Sequence, residues 1–213
     1  MGALPRHIES PLLSANWQPD LVQRMDESHL VAFSDRPESR LQFAGALGQF
    51  LGMQADVEVC ILHGRFITDL STFCDQLEHA LPGPTLERRI DGPRGVVSLL
   101  RERPAQRRRR AAKYRYYLWH DAEVLLRRDP RLFGRLVDAL AGVAAEAEYV
   151  SDELLLIHRA VFVGGSILDI YADDPAAQFQ SWHKDEYGEP FWEVVTGIPA
   201  PPFARCRIDE LVA

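Results

Sequence analysis

The chain has 213 residues, of which 46% are hydrophobic and 26% charged, with a formal net charge of −7. That is the composition of a folded globular protein, and it excludes a disordered, collagenous or disulfide-stapled chain. No run approaches the roughly 18 apolar residues of a membrane helix, since the longest candidate, Leu154 to Leu168, is interrupted by His158 and Arg159.

In chain order, Met1 to Ser10 contains Arg6, His7 and Glu9 and no apolar stretch of the kind a secretory signal needs. Residues 1–34 read as irregular, with a short helix at Asp20–Glu27. Ser34-Asp35-Arg36-Pro37 is a helix start with Pro in the first turn. The helix runs to about Leu51, with Leu41, Ala44, Leu47 and Leu51 on one face. Val57 to Leu62 is a strand, ended by His63-Gly64-Arg65, and Thr68 or Asp69 caps the next helix, whose stripe is Leu70, Phe73, Cys74 and Leu77. Pro82-Gly83-Pro84 stops it, and a short helix follows at Pro93–Arg103.

Tyr114 to Trp119 is rich in strand-forming aromatics. Asp129-Pro130 opens a long helix to about Ala147. Its buried stripe includes Leu132, Phe133, Leu136, Val137 and Leu140, with Arg135 and Asp138 facing water. Leu154 to Val163 reads as a buried strand, or as a helix turning into one, and ends at Gly164-Gly165. Beyond it, Asp174-Pro175 opens another helix, and Phe191 to Val195 is a possible strand. Strands alternating with helical crossovers imply parallel pairing and right-handed connections. The expected fold is therefore α/β, with a small three-stranded parallel sheet in a core at residues 57–163. An N-terminal helical or irregular extension (1–56) and a C-terminal extension packed on the core (164–213) flank it.

The charge is unevenly placed. From Arg88 to Arg115 eleven basic residues face only Asp91 and Glu102, a local +9 that leaves −16 for the remainder. Arg88, Arg89, Arg94, Arg101, Arg103, Arg107, Arg108, Arg109 and Arg110 are the candidate partner-binding residues. Arg suits bidentate contact with carboxylate and phosphate, so the segment points to an acidic protein partner or to nucleic acid. In the second case Tyr114, Tyr116, Tyr117 and Trp119 offer rings for base stacking.

The run Val59-Cys60-Ile61-Leu62-His63-Gly64-Arg65-Phe66-Ile67, followed by Asp69 to Leu77, the strand ending in Trp119, the helix from Phe133 and a final apolar strand, resembles the barstar family of ribonuclease inhibitors over residues 57–163. The resemblance implies a barstar-like fold and a role in binding a protein. In that family the partner surface is the second helix with its preceding loop, and it is acidic. The matching segment here, Pro84–Arg103, is basic. A surface of that sign repels a cationic ribonuclease, so inhibition of such an enzyme is not what this chain is expected to do.

A catalytic reading stays open at the strand ends. His63 follows the first strand and His120-Asp121 the second, where open parallel sheets bind ligands. The two imidazoles would approach one another, with Arg65 as an anion contact and Asp121 as an orienting acid. No GxxxxGK[ST], GxSxG, HExxH or paired-Cys motif occurs, so no cofactor and no metal are expected. Cys60, Cys74 and Cys206 are odd in number and not in CxxC spacing, which fits reduced thiols in a cytoplasmic protein. The aromatics Phe179, Trp182, Tyr187, Phe191 and Trp192 either complete the core or form a homodimer interface. The expected function is that of a non-catalytic protein-binding or regulatory protein. A nucleic-acid-binding accessory protein and a small enzyme with a His63, His120 and Asp121 site are the alternatives.

Overall fold

The computed structural model describes residues 17–80, 114–149, 157–173 and 203–211. The candidate Arg residues from Arg88 to Arg110, the helices expected at Pro93 and Asp174, the strand at Phe191–Val195 and the C-terminal aromatics lie outside them.

The elements are α1 (Trp17–Glu27), β1 (Leu30–Phe33), α2 (Pro37–Gly52), β2 (Val57–His63), α3 (Leu70–Ala80), β3 (Tyr114–His120), α4 (Ala122–Arg128), α5 (Pro130–Tyr149), β4 (Ile157–Gly164), α6 (Ile167–Asp173) and β5 (Ala204–Arg207). The five strands form one sheet in the order β2-β3-β4-β1-β5, and every pairing is parallel. The three expected strands are thus one side of a larger sheet. The count of three is corrected by β1 and β5, which come from the two flanks expected to be extensions. Leu30-Val31-Ala32-Phe33 is only four residues long and buried throughout, so it shows no alternation. In Ala204–Arg207 the exposed Arg205 and Arg207 mask the one buried residue, Cys206.

Right-handed crossovers place the helices on two faces. The chain leaves β1 through α2 toward the distant β2, whereas β2, β3 and β4 are each followed by helices on the opposite face. One core therefore joins α1 and α2 to the sheet through Leu21, Met25, Phe43, Leu47, Leu118 and Val161. The other joins α3 to α6 through Phe73, Leu77, Trp119, Leu125, Phe133 and Phe162. Central strands buried on both faces need continuous apolar runs, and β3 and β4 have them. At one end of the described sheet, β2 alternates instead.

Several side-chain expectations change. Leu41 is 70% exposed, and the buried stripe of α2 is Ser39, Phe43, Ala44, Leu47 and Leu51. Asp138 is buried on α5 rather than facing water, near enough to Tyr171 to raise that phenol's pKa further, after burial itself. His158 and Arg159 lie inside the sheet, because β4 runs between β3 and β1. They are satisfied internally: His158 Nδ1 meets the Tyr117 hydroxyl at 2.9 Å, and Arg159 donates to the Asp26 carbonyl at 2.8 and 3.0 Å. Among the described residues no helix is long and apolar enough to cross a membrane.

Candidate functional site

The sheet offers two places where its topology and its surface converge. The first is the switch point. Chain direction across the sheet reverses between β1 and β4, and in open α/β sheets ligands bind outside the carboxyl ends of strands at such a point. The loop after β1 is Ser34-Asp35-Arg36, and Pro37 begins α2 with Arg36 as an N-cap that makes no side-chain cap bond. The Ser34 hydroxyl donates to Asp209 Oδ1 at 2.8 Å and accepts the Arg36 N–H at 3.0 Å. Asp35 Oδ1 accepts the Ser166 N–H at 3.1 Å from the turn after β4. That contact holds the Asp35 carboxyl below the usual carboxylate range.

Between these loops lies an ion pair. Arg40 in the first turn of α2 reaches Glu123 in the first turn of α4, with Nη1 to Oε1 at 2.5 Å. Glu123 is buried, and desolvation raises its pKa against the opposing pull of Arg40. Its other oxygen packs against Gly164, where an added Cβ would overlap it. Sequence reading missed Arg40 and Glu123. Each is one polar residue near the start of an amphipathic helix, and only the strand order brings them together.

The second place is the carboxyl end of β2 and β3. His63 and His120 are register partners, and their rings lie 5.0 Å apart. The pKa of His120 is lowered by burial and then by His63, with Asp121 opposing. Asp121 does not orient an imidazole. Its Oδ2 accepts from Arg65 at 2.7 Å from Nε and 2.6 Å from Nη2. Its backbone sits in the left-handed region at φ 49°, a conformation that Asp tolerates better than most residues. Gly64 lies directly against the Asp121 carbonyl, and a Cβ there would overlap it. Arg128 donates to the carbonyls of Gly64, Arg65 and Ile67, fastening the β2 turn to α4.

Beside His63 a groove of about 520 Å³ runs between β2 and α3, lined by Val59, Ile61, His63, Phe66, Asp75, Gln76, His79 and Ala80. Ile61 is 47% exposed and Phe66 62%. The Gln76 side chain closes one end, accepting the His63 N–H at 2.7 Å and donating to the His63 carbonyl at 3.3 Å. Nothing in the sequence marks Gln76, which is thirteen residues from its partner.

Three of the four aromatics considered for base stacking are not available for it, and only Tyr114 is partly exposed. Tyr116, Tyr117 and Trp119 are buried because β3 is a central strand. Arg115, counted in the basic stretch, is also fully buried, and it meets Glu58 Oε2 at 2.6 Å. Among the described residues no group of three or more His, Cys, Asp or Glu is placed to hold a metal ion. The fold and these places define a doubly wound α/β protein with all its described strands parallel. No protein-family model, no curated protein and no solved structure matches the chain.

Proposed function

We propose that the chain is a non-catalytic protein-binding or regulatory protein. The observation that supports this reading is the occupied switch point. In nucleotide-binding α/β proteins the first strand–loop–helix unit carries glycines and often a lysine around the phosphates. Here that unit is Ser34-Asp35-Arg36-Pro37, and its acid is already bonded to Ser166. The Arg40–Glu123 pair takes the space between the loops. At the position where open α/β sheets bind a ligand, Ser34, Asp35 and Arg40 are engaged by Asp209, Ser166 and Glu123, which turns the reading toward outer surfaces. An acidic protein is the partner that the Arg88–Arg110 sequence suits. The resemblance of the sequence over residues 57–163 to the barstar family, whose members bind a protein, supports the same reading.

A second reading, a small strand-end enzyme, is favoured by the 5.0 Å approach of His63 to His120. It is weakened by the engagement of Asp121 with Arg65.

Two measurements on the full chain test the proposal. Thermal unfolding is followed with mono- and dinucleotides at about 1 mM, with and without magnesium. A ligand at about 100 times its Kd adds roughly 2.7 kcal/mol, which moves Tm by about 5–10 °C. No such shift is expected. Affinity capture from the native cell should yield a stoichiometric protein partner. A nucleotide-dependent rise in Tm, or capture of nucleic acid with a steep salt dependence, would overturn the reading.

A further inference from the structure

We infer that the groove between β2 and α3 is a strand-addition site for an extended, basic peptide segment of a partner protein. The inference rests on the protein-binding reading and names the chemistry of one contact surface, a basic segment of a partner whose acidic surface elsewhere suits the Arg88–Arg110 sequence.

The backbone argument comes first. In a parallel strand, alternate residues point both N–H and C=O to the same side. His63 directs its pair outward, since both groups bond to the Gln76 side chain rather than to β3. By the same alternation Val59 and Ile61 direct theirs outward. β2 ends the described sheet, and these four groups find no partner among the described residues. A row of unpaired donors and acceptors at a sheet edge is a template for another strand. Gln76 already supplies a primary amide in the position where the next residue of an added strand would place its peptide group.

The groove chemistry comes second. Its wall and floor combine exposed apolar surface from Ile61 and Phe66 with Val59 and Ala80. Such a surface takes the alternate side chains of an extended peptide. The helix beside it carries Asp75 and Glu78 and no Lys or Arg, with Asp69 just before it. Asp75 lines the groove. The complementary occupant therefore carries Lys or Arg opposite Asp75 and small or medium apolar residues on the other positions.

The test uses the full chain, immobilised, against a display library of random decapeptides. Enriched peptides are then synthesised. The expected result is selection of extended sequences with one basic residue among alternating apolar ones. On saturation, hydrogen exchange slows at the Val59 and Ile61 amides. Ile61→Pro removes an outward N–H at a position where an edge strand tolerates proline, and it should weaken binding about tenfold or more. Asp75→Asn should flatten the salt dependence, and Leu41→Ser, at an exposed site on α2, should leave binding unchanged. If Ile61→Pro unfolds, the exchange pattern of the unaltered chain decides alone. No enrichment, or bound peptides that leave both amides unprotected, overturns the inference. A captured partner protein that binds Ile61→Pro as well as the unaltered chain leaves the protein-binding reading intact and sinks the groove. Failure to capture any partner, with peptides still adding to β2, does the reverse.

Discussion

His29 and His158 are two imidazoles that the fold keeps uncharged. His29 Nδ1 accepts the Ala160 N–H at 3.0 Å, and burial, aided by Arg159, lowers its pKa to about 3. His158 is brought to about 3 by burial and then by Arg115, His29 and Arg159. In the unfolded chain both titrate near 6.5. The unfolded state therefore binds protons that the native state refuses, and stability falls with pH in that window. Stability is fully present above about pH 6.5 and is lost progressively toward pH 3. At about pH 5 the loss is on the order of 2 kcal/mol for each histidine. Urea unfolding of the unaltered chain and of His29→Asn and His158→Gln, compared between about pH 7.5 and pH 5, isolates this contribution. Each substitution should remove close to one proton from the pH dependence; a double variant with the original slope would show that these histidines are not held neutral. The three thiols are buried in the same way, and burial raises Cys60 and Cys74 to about 12. Cys74 stands in the apolar stripe of α3, where a small free thiol packs as an inert core group.

At the level of elements, two glycines separate packing from propensity. Gly64 begins the turn after β2 and rests on the backbone of Asp121 and Ala122. Asp121 is itself held at φ 49° by the turn into α4, so neither side yields easily. Gly64→Ala should cost about 2–4 kcal/mol, read as a fall in Tm of roughly 4–16 °C. Gly45 stands in the middle of α2 with nothing within 4 Å of an added Cβ. Gly45→Ala should stabilise the protein by up to about 1 kcal/mol. Equal effects would refute the contact at Gly64. The same contrast shows what the sequence made legible. β2, β3 and β4 stood out because an edge strand alternates and central strands run apolar, and α3 and α5 carried clear stripes. The α3 start was also readable, for Asp69 Oδ1 accepts the Thr72 N–H at 2.8 Å. Leu41 misled because a glycine-rich helix offers two apolar stripes, and only the packed sheet selects Phe43. At the strand ends, His63, His120, Arg65 and Asp121 were readable as neighbours from topology, but the choice of Arg65 as the Asp121 partner was not. The switch-point pair stayed hidden because its position depends on β1, a strand too short to announce itself.

The described residues form one sheet covered on two faces, and this bears on whether residues 57–163 form a core of their own. Within that stretch, Tyr116, Leu118 and Val161 point toward α1 and α2, as does Val163 at its last residue. All four are buried to within 2% exposure. Their cover comes from Leu21, Met25, Phe43 and Leu47, outside the stretch. β4 also pairs with β1, and β1 with β5, so excision would open a new edge at the middle of the sheet. Baring four large side chains costs about 1.5–3 kcal/mol each, or roughly 6–12 kcal/mol together, against a total stability of about 5–15 kcal/mol for an ordinary protein. A fragment limited to residues 57–163 should therefore bind a hydrophobic dye and melt without a cooperative transition, while a chain from 17 to 211 keeps a sharp one. A fragment that unfolds cooperatively in urea would show instead that residues 57–163 are autonomous and that the flanks were added to a finished fold. Loss of cooperativity would tie any partner bound at β2 to the far side of the sheet, since β2 takes its register from β3, whose Tyr116 and Leu118 are covered by α1 and α2.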